Sequence, residues 1–355
     1  MRALCNAPSG VKASDTMAAF SINHSYRIDP AMPATELLPD APFFIVLNAG
    51  SGHSETEMRI STINEVMDAG GRVCHLEVVD EPERIEQIAK DMAAKAVASG
   101  GVLVAAGGDG TINTVAHQAV LAGCAFGVLP QGTFNYFGRT HGIPENLAEA
   151  VHALLRGTIQ PVQVGMLNDK IFLVNASVGL YPALLEEREH DKREFGRSRV
   201  VAFLSAIKMT LRAHRHLQIR LELDGKEQRL RTTTLFVGNN RLQMEQVGME
   251  QLTDAVEDGQ LAALAPKPMG KLGLLGLLVR GALGKLGGAD DVVAFSFKRM
   301  TVRTPSLYGR KRLKVAVDGE VSKMATPFEF RVLEGRLKLL LAPPQAAAAT
   351  TDAAA

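Results

Sequence analysis

The chain has 355 residues, 46% of them hydrophobic and 22% charged, with 33 Gly, 16 Pro and no Trp, which excludes collagen-like, disordered and disulfide-scaffold classes. Lys and Arg number 39 against 38 Asp and Glu, a formal charge of +1, and aromatics are only 5%. Neither a global field nor a stacking surface for nucleic acid is therefore expected. At about 100 to 200 residues per domain, the length fits two domains with a cleft between them.

Cys5, Cys74 and Cys124 are far apart and form no CxxC pair, so a reducing compartment is expected. No apolar run of seven or more opens the chain, which argues against a secretory signal, and no window approaches the roughly 18 apolar residues of a membrane span. The expectation is a cytoplasmic protein, at most peripheral on the inner face of the membrane.

Residues 1–40 are interrupted by Pro8, Pro30, Pro33 and Pro39, and seven of the last ten residues are Ala, so 1–40 and 343–355 read as extended or disordered ends. FFIVLN (43–48) is a short apolar run before the turn Ala49-Gly50-Ser51-Gly52, followed by helical spacing through Ile60, Ile63 and Met67. VCHLEVV (73–79) precedes a helix through Ile85, Ile88, Met92 and Val97, and VLVAA (102–106) precedes one with Ile112, Val115 and Ala119. AFGVL (125–129) then leads into Pro130. Short apolar runs alternating with helical periods predict an α/β domain on a parallel sheet over 41–160.

Beyond about residue 160 the pattern becomes alternating. IFLVNASVG, LQIRLELDG, LRTTTLFVG, VVAFSFKRMTVRT, RLKVAVDGE and FEFRVLEGRLKLLLA are separated by Gly, Asp or Asn turns, as in antiparallel sheets. A second, β-rich domain is predicted over 161–342, a return of its last strand to the first domain being left open, with helices at 197–214 and 269–286. MGKLGLLGLLVRGALGKL (269–286) is apolar almost all round, so it is either packed in protein or set into a membrane surface. From Arg188 to Arg220, nine Arg or Lys stand against three acids, which suits either a solvated helix face or anionic headgroups.

Three loops carry chemistry. Gly107-Gly108-Asp109-Gly110-Thr111 lies where a buried strand opens into a helix. Its glycines bare the backbone N–H groups, and the helix N-terminus favours an anion, so the loop reads as a phosphate cradle. Asp109 would repel phosphate unless a divalent cation lay between them, which points to a magnesium nucleotide. Asn48-Ala49-Gly50-Ser51-Gly52 occupies the equivalent place after the first strand but lacks the dinucleotide and P-loop spacings. In Leu129-Pro130-Gln131-Gly132-Thr133-Phe134-Asn135, Gly132 again follows a strand, and Thr133 and Asn135 offer short polar groups.

NAGSG, AAGGDGTIN and LPQGTFNYFGRTHGIP, in this order, resemble the catalytic region of the bacterial diacylglycerol kinase family, which includes sphingosine and ceramide kinases. Asn175-Ala176-Ser177-Val178-Gly179, Val237-Gly238-Asn239-Asn240, Val256-Glu257-Asp258-Gly259 and Val317-Asp318-Gly319-Glu320 continue the likeness, which spans roughly 42–342. The resemblance implies an α/β nucleotide domain of the NAD kinase and phosphofructokinase type followed by a β-sandwich, and ATP-dependent phosphorylation of a lipid hydroxyl in the cleft between them. By matching motif, Asn48, Ala49, Gly50, Ser51, Gly52, the residues Gly107, Gly108, Asp109, Gly110, Thr111, Ile112 and Asn113, and Gly132, Thr133 and Asn135 would hold ATP. Glu320 would accept the proton of the attacking hydroxyl with Asp318 and Asp109 in support, while Asp258 and Gln260 would bind a structural Mg²⁺. The implied partner is a lipid at a membrane surface, and a homodimer stays open.

Two positions depart from the family pattern. Asn135-Tyr136 stands where many relatives have Asn-Asp, and Gly100-Gly101 where they often have Asp before the strand. Because GGDGT also fits NAD kinases, a kinase for a soluble acceptor is one rival. A nucleotide-binding protein without turnover is the other.

Overall fold

The computed structural model describes residues 35–50, 53–182, 185, 217–223, 226–287, 290–305 and 312–343. The helix expected at 197–214 and most of the basic stretch 188–220 lie outside these residues.

The first lobe runs β1 (Thr35–Glu36), β2 (Phe43–Asn48), α1 (His53–Ala69), β3 (Cys74–Val79), α2 (Ile85–Ser99), β4 (Val102–Gly107), α3 (Asp109–Ala122), β5 (Ala125–Pro130), α4 (Tyr136–Thr140) and α5 (Leu147–Leu155). Strands β2, β4 and β5 read as unbroken apolar runs because helices cover both faces. On one face Val46, Leu103 and Phe126 pack with Met92, Ile112 and Val115 of α2 and α3. On the other, Phe43, Ile45 and Val104 pack with Ile63, Met67 and Leu154 of α1 and α5. These strands are parallel in the order β5-β4-β2-β3. The chain thus leaves β2 first to one side and later to the other, and the loops after β2 and β4 flank this switch point, where open α/β sheets place ligands.

The second lobe comprises β6 (Thr158–Leu167), β7 (Lys170–Phe172), β8 (Asn175–Gly179), β9 (Leu217–Leu223), β10 (Lys226–Thr232), β11 (Thr234–Gly238), α6 (Arg241–Gln246), α7 (Glu250–Glu257), β12 (Leu261–Pro266), α8 (Lys271–Ala282), β13 (Val292–Phe297), β14 (Arg299–Arg303), β15 (Arg312–Val317), β16 (Glu320–Ala325) and β17 (Phe328–Leu341). Six strands form an antiparallel sheet in the order β13-β12-β11-β8-β15-β16. Its inner face (Ala176, Val178, Val237, Ala263, Val315) packs on Ile219, Leu221, Met300, Val302, Phe328 and Phe330 of β9, β14 and β17. This is the α/β domain followed by an antiparallel sheet domain that the sequence pattern predicts.

The two lobes share β17. Its first half pairs antiparallel with β14 and β6. Beyond a register shift between Leu333 and Leu337, Lys338 and Leu339 also run parallel to β5. An 11-stranded sheet therefore passes through both lobes.

Candidate active site

The first two loops are bound to each other. Asn48 Nδ2 donates to Thr111 Oγ1 at 2.8 Å, and Gly50 N–H donates to Asn48 Oδ1 at 3.2 Å. Ala49 N–H is used by Val79 O at 3.0 Å, and Ser51 and Gly52 lie outside the described residues. A β-carbon on Gly107 would sit 2.7 Å from Thr111 Cβ, so this turn admits only glycine. No side chain caps α3 at Gly108, leaving its first-turn N–H groups to act as donors to an anion. Ile112 is different: its side chain is fully buried and its N–H bonds to Gly108 O at 2.9 Å, so it belongs to the core.

The third loop closes on the second. Gln131 N–H donates to Gly107 O at 2.8 Å. A β-carbon on Gly132 would stand 3.0 Å from both Gly108 Cα and Asn135 Oδ1, so the two backbones meet with no side chain between them. Asn135 is buried in the left-handed region (φ 45°), and its Oδ1 accepts Gly132 N–H at 2.9 Å. Thr133 is exposed at the tip. Among the described residues, Asp109 Oδ1 and both amide atoms of Gln131 are buried without a hydrogen-bond partner. Each such atom costs about 1–3 kcal/mol unless a ligand, ion or water meets it. Burial pushes the Asp109 carboxyl above its ordinary value, against the opposing effect of the Phe137, Asn135 and Tyr136 N–H groups.

The second lobe supplies the opposite wall. β15 and β16 are joined by Asp318 (φ 45°) and Gly319 (φ 91°), the positive-φ pair that a tight two-residue hairpin needs and Asp-Gly provides. Asp318 Oδ2 accepts from Asn113 Nδ2 at 2.6 Å and Leu173 N–H at 2.7 Å; Oδ1 accepts from Val174 and Asn175 N–H at 2.9 and 2.8 Å. Burial pushes this carboxyl up to about 6, although the Leu173, Asn175, Val174 and Asn113 donors favour the anion. Asn113 Nδ2 also donates to Ile171 O at 3.2 Å, so Asn113 braces α3 to the second lobe. The hairpin is thereby held with exposed Glu320 over the phosphate loop: a β-carbon on Gly110 would lie 3.6 Å from Glu320 Oε1.

Asp258 and Gln260 lie on a separate turn. Asp258 ends α7, and Gln260 O accepts from Gln163 Nε2 at 3.2 Å. Among the described residues no three His, Cys, Asp or Glu side chains gather around a cation position. A cation here would draw on the Asp258 carboxylate and backbone oxygens.

Several residues brace the second lobe internally or tie it to the first, and beyond the Asn175–Gly179 and Val-Gly-Asn-Asn series the sequence gives no sign of these roles. Asn239 accepts from Gln163 Nε2 at 2.7 Å and donates to Leu173 O at 3.2 Å. Asn240 donates to Thr140 Oγ1 at 2.7 Å and Tyr136 O at 3.3 Å. Asn175 Nδ2 donates to Gln243 Oε1 at 3.1 Å. Tyr136, read as a lost carboxylate, instead donates its hydroxyl to Gln246 Oε1 at 2.9 Å, tying α4 to α6. Gly100 caps α2 with φ 64°, and a β-carbon on Gly101 would meet Pro42 O at 2.5 Å. Both glycines sit before β4, at its end remote from the phosphate loop, where they serve chain packing.

A model of the diacylglycerol kinase catalytic domain matches residues 42–167. A Pseudomonas aeruginosa protein called "Probable lipid kinase YegS-like" is 30% identical over 310 residues, covering 85% of this chain and 94% of that protein. A Klebsiella pneumoniae protein with the same name is 34% identical over 137 residues, 38% of this chain and 44% of its own. A solved structure described as a diacylglycerol kinase from Bacillus anthracis superposes with a TM-score of 0.59 at 19% identity, covering 85% of this chain and 97% of that one, a likeness of fold. Together with the cleft geometry, these matches place the chain among the diacylglycerol kinase-like lipid kinases, the family to which it belongs.

Proposed function

We propose that the protein transfers the γ-phosphoryl group of ATP, with Mg²⁺, to the hydroxyl of a lipid alcohol, diacylglycerol being the leading class. The observation that carries this reading is Glu320 Oε1 facing Gly110 across the cleft, a carboxylate from one lobe over the phosphate-type loop of the other. The bare approach of Gly108 to Gly132 and the orphaned atoms of Asp109 and Gln131 fit a magnesium nucleotide. When bound, that nucleotide supplies the phosphoryl group and the metal offsets its charge.

The chain's own residues position and deprotonate. First-turn N–H groups of α3 bind phosphate oxygens, the bare backbone at Gly132 leaves them room, and Asn48 and Thr111 lock the loops together. Glu320 accepts the proton of the lipid hydroxyl, a role worth about 10² to 10⁴ in rate. Asp318 and Asn113 hold the Glu320 hairpin in register. A structural Mg²⁺, if held at the second turn, would take Asp258 and the Gln260 carbonyl.

The test is incubation with γ-labelled ATP, Mg²⁺, vesicles carrying diacylglycerol, ceramide or sphingosine, and NAD. Label entering the organic phase, and lost in Glu320→Gln, supports the reading. Label only in the aqueous acceptor, or binding of ATP without any transfer, overturns it.

A further inference from the structure

We propose that the exposed face of α8 seats the protein on an anionic lipid bilayer beside the mouth of the cleft. Leu272, Val279 and Leu283 are 80%, 38% and 63% exposed. At roughly 100° per residue they fall, with Gly276, on one narrow stripe, and the Leu283 N–H bond to Val279 O at 3.0 Å keeps Leu283 on the spiral. Leu274 and Leu277 lie on the far side and are buried, so the helix is fixed in the protein by one face and presents the other outward.

The charges select the occupant. Exposed Lys271 and Arg280 flank the stripe on opposite sides, exposed Lys285 follows it, and no acid occurs from Met269 to Ala289. Apolar side chains between cations match acyl chains beneath anionic headgroups.

The surface is continuous with the cleft rim. Leu286 N–H bonds to Val247 O at 3.0 Å, and a β-carbon on Gly284 would stand 3.0 Å from Gln246 O. Gln246 accepts the Tyr136 hydroxyl, and Tyr136 stacks at 5.8 Å on Phe134, itself 52% exposed on the third loop. A bilayer under α8 therefore lies next to the third loop at the rim of the site. The inference rests on the lipid-kinase reading and names the surface that delivers its substrate.

The experiment is co-sedimentation with phosphatidylcholine vesicles, with and without phosphatidylglycerol, for wild type, Leu272→Glu/Leu283→Glu and Arg280→Gln/Lys285→Gln. Each variant is also assayed on a water-soluble short-chain diacylglycerol. At about fivefold per cation, the charge variant loses roughly 25-fold in partition to anionic vesicles. The Glu variant loses at least tenfold, and both keep wild-type melting and short-chain turnover. Equal sedimentation of variants and wild type, no sedimentation of wild type, or a dimer that the Glu variant splits in sedimentation velocity overturns the proposal. Vesicle binding that depends on α8 without phosphorylation of any lipid would instead overturn the substrate reading and leave this surface standing.

Discussion

Gly108→Ala separates the needs of the fold from those of the ligand. Gly108 has φ −82° and ψ 178°, a conformation any residue adopts, and the added methyl would meet only Gly132 Cα, at an ordinary 3.6 Å. Replacing Gly by Ala at a compatible site gains about 0.4–1 kcal/mol, while Ala is a poorer N-cap than Gly by a similar amount, so stability should change by less than about 0.5 kcal/mol. The methyl nevertheless fills the bare space between the two loops where phosphate oxygens would reach backbone N–H groups. Losing one charge-assisted bond of about 1.5–3 kcal/mol raises KM for ATP about 10- to 100-fold. Gly107→Ala supplies the contrast: its methyl would lie 2.7 Å from Thr111 Cβ, and overpacking there costs about 1–3 kcal/mol of folding stability. Differential scanning fluorimetry and steady-state kinetics measure both quantities. A Gly108→Ala enzyme with wild-type KM for ATP would refute the cradle, and one that melts far earlier would refute the packing argument.

Further outcomes follow from the bracket, the base and the buried imidazole. Glu320→Gln should lower kcat about 10² to 10⁴ while calorimetry finds ATP affinity nearly unchanged, because Glu320 is exposed at the hairpin end and, among the described residues, its carboxylate holds no loop residue in place. Asn113→Ala removes the bonds to Asp318 and Ile171 O and should cost about 1–3 kcal/mol in urea unfolding, with kcat falling as the Glu320 hairpin loosens. Burial pushes His141 down to about 4, so the unfolded chain takes up its proton near pH 6.5 before the folded one does. His141 alone therefore takes on the order of 3 kcal/mol from stability as pH drops from 6.5 toward 4, while Asp318, pushed up to about 6, offsets it over nearly the same range, so His141→Phe should turn the profile toward greater stability at low pH than wild type shows. A profile of the same shape in the variant would show that other groups carry it.

The parallel strands were legible because burial on both faces leaves a local trace: FFIVLN and VLVAAG contain no polar residue until the chain reaches the loop or its cap. The phosphate loop was legible for a similar reason, since the steric demand at Gly107 and the close approach at Gly132 can be met only by glycine. What joins the lobes was not. Asn113 and Asp318 are 205 positions apart, and one sequence holds no signal that two polar residues so distant will share a hydrogen bond. Ile112 sits inside the motif that implies nucleotide ligands, yet it is the first residue of α3 whose side chain points fully into the core. Tyr136 and Gly101 stand where the family pattern has carboxylates. Side-chain type alone could not reveal that one reaches Gln246 and the other presses on Pro42.

The most direct measurement is a crystal structure of the protein soaked with Mg²⁺ and a non-hydrolysable ATP analogue. The account predicts the terminal phosphate against the N–H groups of Gly108 to Thr111, metal density at Asp109, and Glu320 on the open side of that phosphate. A triphosphate bound elsewhere, or one turned so that Glu320 faces the base or ribose, would contradict it.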